Sequence, residues 1–89
     1  MQNYKEHLLR ERKKIDKLNQ KIAKLLDARF KIAKKIAGLK EKIGMPIFQP
    51  KREKQVLARI KAISSAPRHT IPVFKAIILQ SRRCQREQR

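Results

Sequence analysis

From Tyr4 to Ile43 the chain contains no proline and a single glycine, Gly38. Apolar residues recur there on two interleaved seven-residue series. One reads Leu8, Ile15, Ile22, Arg29, Ile36, Ile43; the other reads Glu11, Leu18, Leu25, Ile32, Leu39. The spacing predicts a very long N-terminal helix over 4–43 with a heptad seam along one side. Two members do not belong on such a seam, Arg29 and Glu11. The row beside it reads Arg12, Asn19, Leu26, Ala33, Lys40. Arg12, Arg29 and Lys40 therefore turn toward the face that should be buried, where a cation is costly unless something anionic meets it.

Such a helix spans about 60 Å at 1.5 Å per residue. A compact chain of this size has a radius of gyration of about 12 Å, hence a diameter near 30 Å. The helix is too long for its own domain, and two shorter helices cannot cover its seam. A second copy of the chain is the expected cover, giving an intertwined helical homodimer.

Gly44 and Pro46 stop the first helix. After the short link GMPIFQ, Pro50 stands at a first helical position and 51–63 reads as a second helix, with Val56, Leu57, Ile60 and Ile63 at helical spacing. Residues 64–69 read as a loop. Thr70 is a suitable cap for a third helix over 71–86, with Pro72 in its first turn. Asn3, with Glu6 behind it, suits the start of the first helix. The expected fold is all-α, three helices per chain, with 1–89 as a single domain.

Composition agrees: 40% hydrophobic, 4% aromatic, no tryptophan and two glycines. The single cysteine, Cys84, suits a reducing, cytoplasmic compartment and is expected to be an inert thiol. No signal peptide is read in the N-terminal stretch, and no apolar run reaches the length of a membrane span. His7 and His69 lack partners at metal or catalytic spacing, so no metal or cofactor is expected. The net charge is +18, with 25 Lys and Arg against 7 Asp and Glu. Many of these cations (Lys13, Lys17, Lys21, Lys24, Lys31, Lys35) fall off the seam and read as a solvated basic face. Few aromatics and no recognition motif argue against a nucleic-acid partner. The field of such a surface draws in small dianions and weakens with salt.

The inward polar groups are mostly donors. Arg12, Arg29 and Lys40 lie on the first helix, Arg52 and Glu53 at the start of the second, and Ser81 and Gln85 on the apolar stripe of the third. No Ser/His/Asp or Cys/His set, P-loop or glycine-rich turn is present, so covalent catalysis has no nucleophile. Arg29 and Lys40 are roughly 16 Å apart along one helix, which leaves room for a small molecule between their side chains. Arg12 and Arg29 are about 25 Å apart, too far to grip one small ligand from a single chain. In a two-fold dimer Arg12 of one subunit can approach the partner's Arg29. The pocket would then be shared, for a small dicarboxylate with an extra oxygen to receive Lys40 and Gln85. Each residue also has a purely structural alternative. Arg29 can fix register against an acid, Lys40 and Arg12 can snorkel to water, Ser81 and Gln85 can mark a fraying helix end, and Glu53 can answer the helix dipole.

The run IDKLNQKIAKLLDARFKIAKKIAGLK, then GMPIFQPKREKQVLARI, then FKAIILQSRRCQ resembles the all-helical chorismate mutase family from about Leu9 to Gln85. The combination carries the resemblance: Arg in LLDAR, Lys at the end of the first helix, PKRE after a short loop, and a Ser-x-x-x-Gln pair closing the third helix. Gln49, a weak cap, stands where the family often has an acid. The resemblance implies an intertwined dimer that isomerises chorismate to prephenate within aromatic amino-acid biosynthesis. It implies that Arg12, from the partner subunit, and Arg29 hold the two carboxylates. Lys40 and Gln85 would donate to the ether oxygen, and Glu53 would accept from the ring hydroxyl. Ser81 would assist at the ring carboxylate, and Arg52 would hold the local charge network. Three other readings are consistent with parts of the sequence: an isochorismate-pyruvate lyase on the same fold, a basic helical nucleic-acid binder, and a catalytically inactive scaffold. The residues Arg52 and Glu53 favour the mutase over the lyase.

Overall fold

The computed structural model describes residues 3–88. They form three helices and, among the described residues, no strand: α1 (Tyr4–Lys42), α2 (Pro50–Ile63) and α3 (Pro67–Glu87). The molecule measures 66 × 24 × 15 Å with a radius of gyration of 17.6 Å. That is well above the roughly 12 Å of a compact chain of this size.

The excess length is α1. Asn3 caps it: its side-chain oxygen accepts from the Glu6 amide at 3.2 Å, and its carbonyl accepts from the His7 amide. Every residue from Asn3 to Leu25 is exposed in the single chain. Only the second half of α1 packs within the protomer, through Leu26, Phe30, Ala33, Ala37 and Lys40. Ala33 and Ala37 are 5% and 0% exposed, because α3 lies across them. Small side chains there let the two backbones approach closely. The heptad seam stays uncovered: Ile15, Leu18, Ile22, Leu25, Ile32 and Leu39 are each more than half exposed. A chain that leaves such a continuous apolar stripe in water marks an association surface.

α1 ends in a Schellman motif. The Met45 amide donates to the Lys40 carbonyl at 2.8 Å and the Gly44 amide to the Glu41 carbonyl at 3.2 Å. Gly44 supplies the left-handed residue this needs, at φ +69°. Pro50 opens α2 at a position where its missing N–H is harmless. Gln49 makes no cap; its side-chain amide turns back to the Pro46 carbonyl at 2.9 Å.

α3 departs from the sequence expectation. It begins at Pro67, not at residue 71, so Thr70 lies inside the helix and does not cap it. The Thr70 hydroxyl instead donates to the Ala66 carbonyl at 3.0 Å and accepts from Ser64 Oγ at 2.8 Å. Ser64 Oγ also accepts from the Ala66 amide, so this hydroxyl pair braces the turn. Pro67 starts the helix for the same reason Pro50 does. Pro72 therefore sits past the first turn, inside the helix, and withholds one backbone donor there. α3 packs on both α1 and α2, which do not pack on each other.

The two glycines should respond oppositely to alanine. Neither Cβ would meet an atom within 4 Å, so conformation alone decides. Gly44→Ala forces an alanine into the left-handed region and should cost about 1–2 kcal/mol. Gly38→Ala removes backbone freedom from an exposed helix interior and should gain up to about 1 kcal/mol. Thermal melts at equal protomer concentration should place the first variant below wild type and the second at or above it.

Candidate functional site

α3 crosses α1 so that its inward stripe faces the second half of the long helix. The result is a cavity of about 500 Å3 lined by α1, the link, the start of α2, and α3. Its apolar wall includes Ala33, Ile36, Val56 and Ile78. Six of the seven residues singled out in the sequence line it: Arg29, Lys40, Arg52, Glu53, Ser81 and Gln85. Arg12 does not; it lies on the exposed first half of α1, about 25 Å from Arg29 along the axis.

Lys40 ties three segments together. Its ammonium donates to Gln85 Oε1 on α3 at 3.0 Å and to the Ile47 carbonyl of the link at 2.8 Å. The Schellman turn at Gly44 is what brings Ile47 back beneath it. With Oε1 engaged, the amide nitrogen of Gln85 remains as a neutral donor. Arg29 Nη1 donates to Ser81 Oγ, and that hydroxyl donates in turn to the Ile77 carbonyl one turn back on α3, at 2.8 Å. Ser81 and Gln85 are 8% and 7% exposed, so neither marks a fraying end.

The partner of the half-buried Arg29 is a neutral hydroxyl, and Lys40 reaches an amide oxygen and a backbone carbonyl. Arg29 forms no salt bridge among the described residues of the chain. Burial lowers the pKa of Arg29, and the nearby charge of Arg52 lowers it further. The sign matters: a lowered pKa means the folded state disfavours the charged form, yet arginine remains protonated at any working pH. The site therefore carries positive charge at a cost to the fold, and an anion bound there offsets that cost.

Arg52 and Glu53 occupy the wall differently from the expectation. Arg52 donates to Gln55 within α2 at 2.7 Å. Glu53 turns to Arg82 of α3, with Oε2 3.1 Å from Nε. That contact is off the N–H direction, so Nε is buried without a hydrogen bond and the attraction is Coulombic. The Arg82 guanidinium also lies over the Phe48 ring, 4.9 Å from its centre. Arg82 and Phe48 were missed in the sequence. A signal existed for Arg82, which stands four residues after Ile78 and three before Gln85, on one helical stripe.

Ile32 and Ile36 belong both to the heptad seam and to the cavity wall, and both are exposed. Any chain that covers the seam also borders the cavity. No group of His, Cys, Asp or Glu able to hold a metal occurs among the described residues. No helix there is long and apolar enough to cross a membrane.

The comparisons with known proteins agree with this architecture. A chorismate mutase from Methanocaldococcus jannaschii is 43% identical over 58 residues, covering 65% of this chain and 59% of that protein. A bifunctional chorismate mutase/prephenate dehydratase from Aquifex aeolicus is 40% identical over 55 residues, covering 62% of this chain and 15% of that protein. The chain thus spans about three fifths of the first relative's length and a small part of the second's. No solved structure matches the chain significantly. The family model for chorismate mutase type II matches residues 11–86, nearly the whole length, and the chain belongs to that family.

Proposed function

We propose that this chain is a chorismate mutase, isomerising chorismate to prephenate by a pericyclic rearrangement. The observation that carries the reading is the cavity itself. It gathers Arg29, Lys40, Ser81 and Gln85 in one small space, rich in donors and lined by no His or Cys that would make up a Ser/His or Cys/His pair. A pericyclic step needs neither nucleophile nor proton transfer. It needs the flexible side chain held over the ring, and donors aimed at charge that grows on the ether oxygen as its bond breaks.

In this reading Arg29 grips one carboxylate, with Ser81 fixing the guanidinium and assisting at the ring carboxylate. Lys40 and the free amide nitrogen of Gln85 donate to the ether oxygen. Glu53 accepts from the ring hydroxyl, and Arg52 adds positive field at the α2 wall. Arg12 completes the site from a second subunit. Antiparallel packing of two α1 helices, centred midway between Arg12 and Arg29, sets each Arg12 level with the partner's Arg29. The same packing covers the exposed seam. The active form is then a homodimer with two shared sites, acting in the cytoplasm on a small dicarboxylate, without cofactor or nucleic acid.

Purified protein should consume chorismate in a spectrophotometric assay, and isochorismate supplied alone should release no pyruvate. Arg29→Ala and Lys40→Ala should each lower kcat/KM by at least about 10²-fold, roughly 2.7 kcal/mol, the scale of one lost preorganised donor. Normal kinetics in both would remove the proposed site. Gln85→Glu should shift activity toward acid pH, because a carboxyl donates only when protonated; a flat profile argues against the role of Gln85. Mixing inactive Arg12→Ala and Arg29→Ala proteins should restore activity, since a heterodimer carries one intact pocket. No recovery, with subunit exchange verified by mass, means the site is not shared.

A further inference from the structure

We propose that Arg82 is a positioning residue of this site: it aims the Glu53 carboxylate and cancels its charge toward a dianionic guest. The proposal rests on the chorismate mutase reading above and adds a residue to it.

Three segments meet at this point. Glu53 comes from the first turn of α2, Arg82 from α3, and Phe48 from the link before α2. The two charged side chains are 22% and 25% exposed, so their attraction is screened less than that of a surface pair. Arg82 takes one carboxylate oxygen, Oε2. The other, Oε1, makes no hydrogen bond within the described residues and is left to accept one. A carboxylate lining a pocket for a dianion is a like charge in the wrong place. Arg82 removes that repulsion while keeping the acceptor.

The geometry does not fit a pair kept only for stability. The buried Nε–H of Arg82 makes no hydrogen bond among the described residues although Oε2 is 3.1 Å off. A buried donor left unsatisfied is costly, and a stabilising bridge would close that gap. Phe48 supplies a face for the guanidinium, which fixes its plane without competing for Glu53. Arg83, the next residue, is exposed, so the helix turns just one of two consecutive arginines into the cavity.

The test compares chorismate with an analogue lacking the ring hydroxyl, a group outside the bonds that break and form. Arg82→Met retains length and apolar contact with Phe48 but not charge. It should lower kcat/KM for chorismate by about tenfold, a fraction of the roughly 10²-fold that a 1 Å misplacement costs. The analogue should lose much less, and Arg82→Lys should recover most of the chorismate activity. In a Glu53→Gln background, Arg82→Met should add almost nothing, the signature of one acting through the other. Equal losses on both substrates, or additive losses in the double variant, overturn the proposal while leaving the mutase reading intact. Wild-type-like kinetics of Arg82→Met with both substrates does the same. Wild-type protein that leaves chorismate untouched overturns the mutase reading, and Arg82's role with it.

Discussion

The close crossing of α3 over Ala33 and Ala37 sets everything else in the protomer. Those two positions are the only buried ones on α1, and Ile78 is the buried residue that answers them from α3. The contact is narrow, so the angle and register of α3 follow from where α1 is small enough to admit it. Once α3 lies there, Ser81 falls beside Arg29 and Gln85 beside Lys40. A larger side chain at 37 would lift α3 and separate both pairs together. The site is thus a by-product of one small-residue contact, held at its far end by Lys40 reaching the link.

The choice of partners for those cations decides what the cavity can accept. Arg29 and Lys40 donate to a hydroxyl, an amide oxygen and a backbone carbonyl. Such acceptors orient a cation without neutralising it. Had the partner of Arg29 been a carboxylate, the two charges would have closed on each other and a bound anion would have had to compete with a salt bridge. The one carboxylate on the wall, Glu53, is matched by Arg82 and leaves the surplus intact. Burial first, and the nearby charge of Arg52 second, lower the pKa of Arg29. Preorganised charge of this kind is what stabilises charge growing in a transition state, because the donors do not have to move.

The periodic parts of this fold could be read from the sequence, and the parts set by side-chain contact could not. The heptad series gave α1 to within a residue of its end, because Gly44 is the one conformation-specific residue in reach. The stripe ending in Ser81 and Gln85 was legible for the same reason. The start of α3 was not. A Thr before a helical pattern is a good cap by propensity, but Pro67 starts the helix three residues earlier and the Ser64–Thr70 hydroxyl pair occupies the group that would have capped. The pairing of Glu53 was also out of reach, although the stripe that sets Arg82 with Ile78 and Gln85 was not. Arg82 and Arg83 are equivalent by composition, and choosing between them needs the helix phase relative to Ile78, combined with the position of α2.

The excess of positive charge also finds a place once the phase of α1 is known. Arg10, Lys17, Lys24 and Lys31 form one heptad row, and Lys14, Lys21, Lys35 and Lys42 another. Both rows lie on the side of α1 opposite Ala33 and Ala37, and neither contains an acid. Members of the two rows stand three or four residues apart, as in Arg10–Lys14, Lys14–Lys17 and Lys31–Lys35, and like charges at that spacing each weaken an isolated helix by about 0.2–0.5 kcal/mol. Charge pairing therefore does little to hold the first half of α1 straight, and the intrinsic helix preference of its Leu, Lys, Arg and Glu residues has to. The seam itself, apart from Arg29 and the Glu11 that pairs with Lys14, is free of charge, and the Lys14 row borders it on the side away from Arg12. The Arg10 row lies further round the helix, in solvent, where its field extends toward anions in general. Seam and charge thus share a border along the Lys14 row and part only at the Arg10 row, so a second subunit laid on the seam would lie beside part of the basic surface.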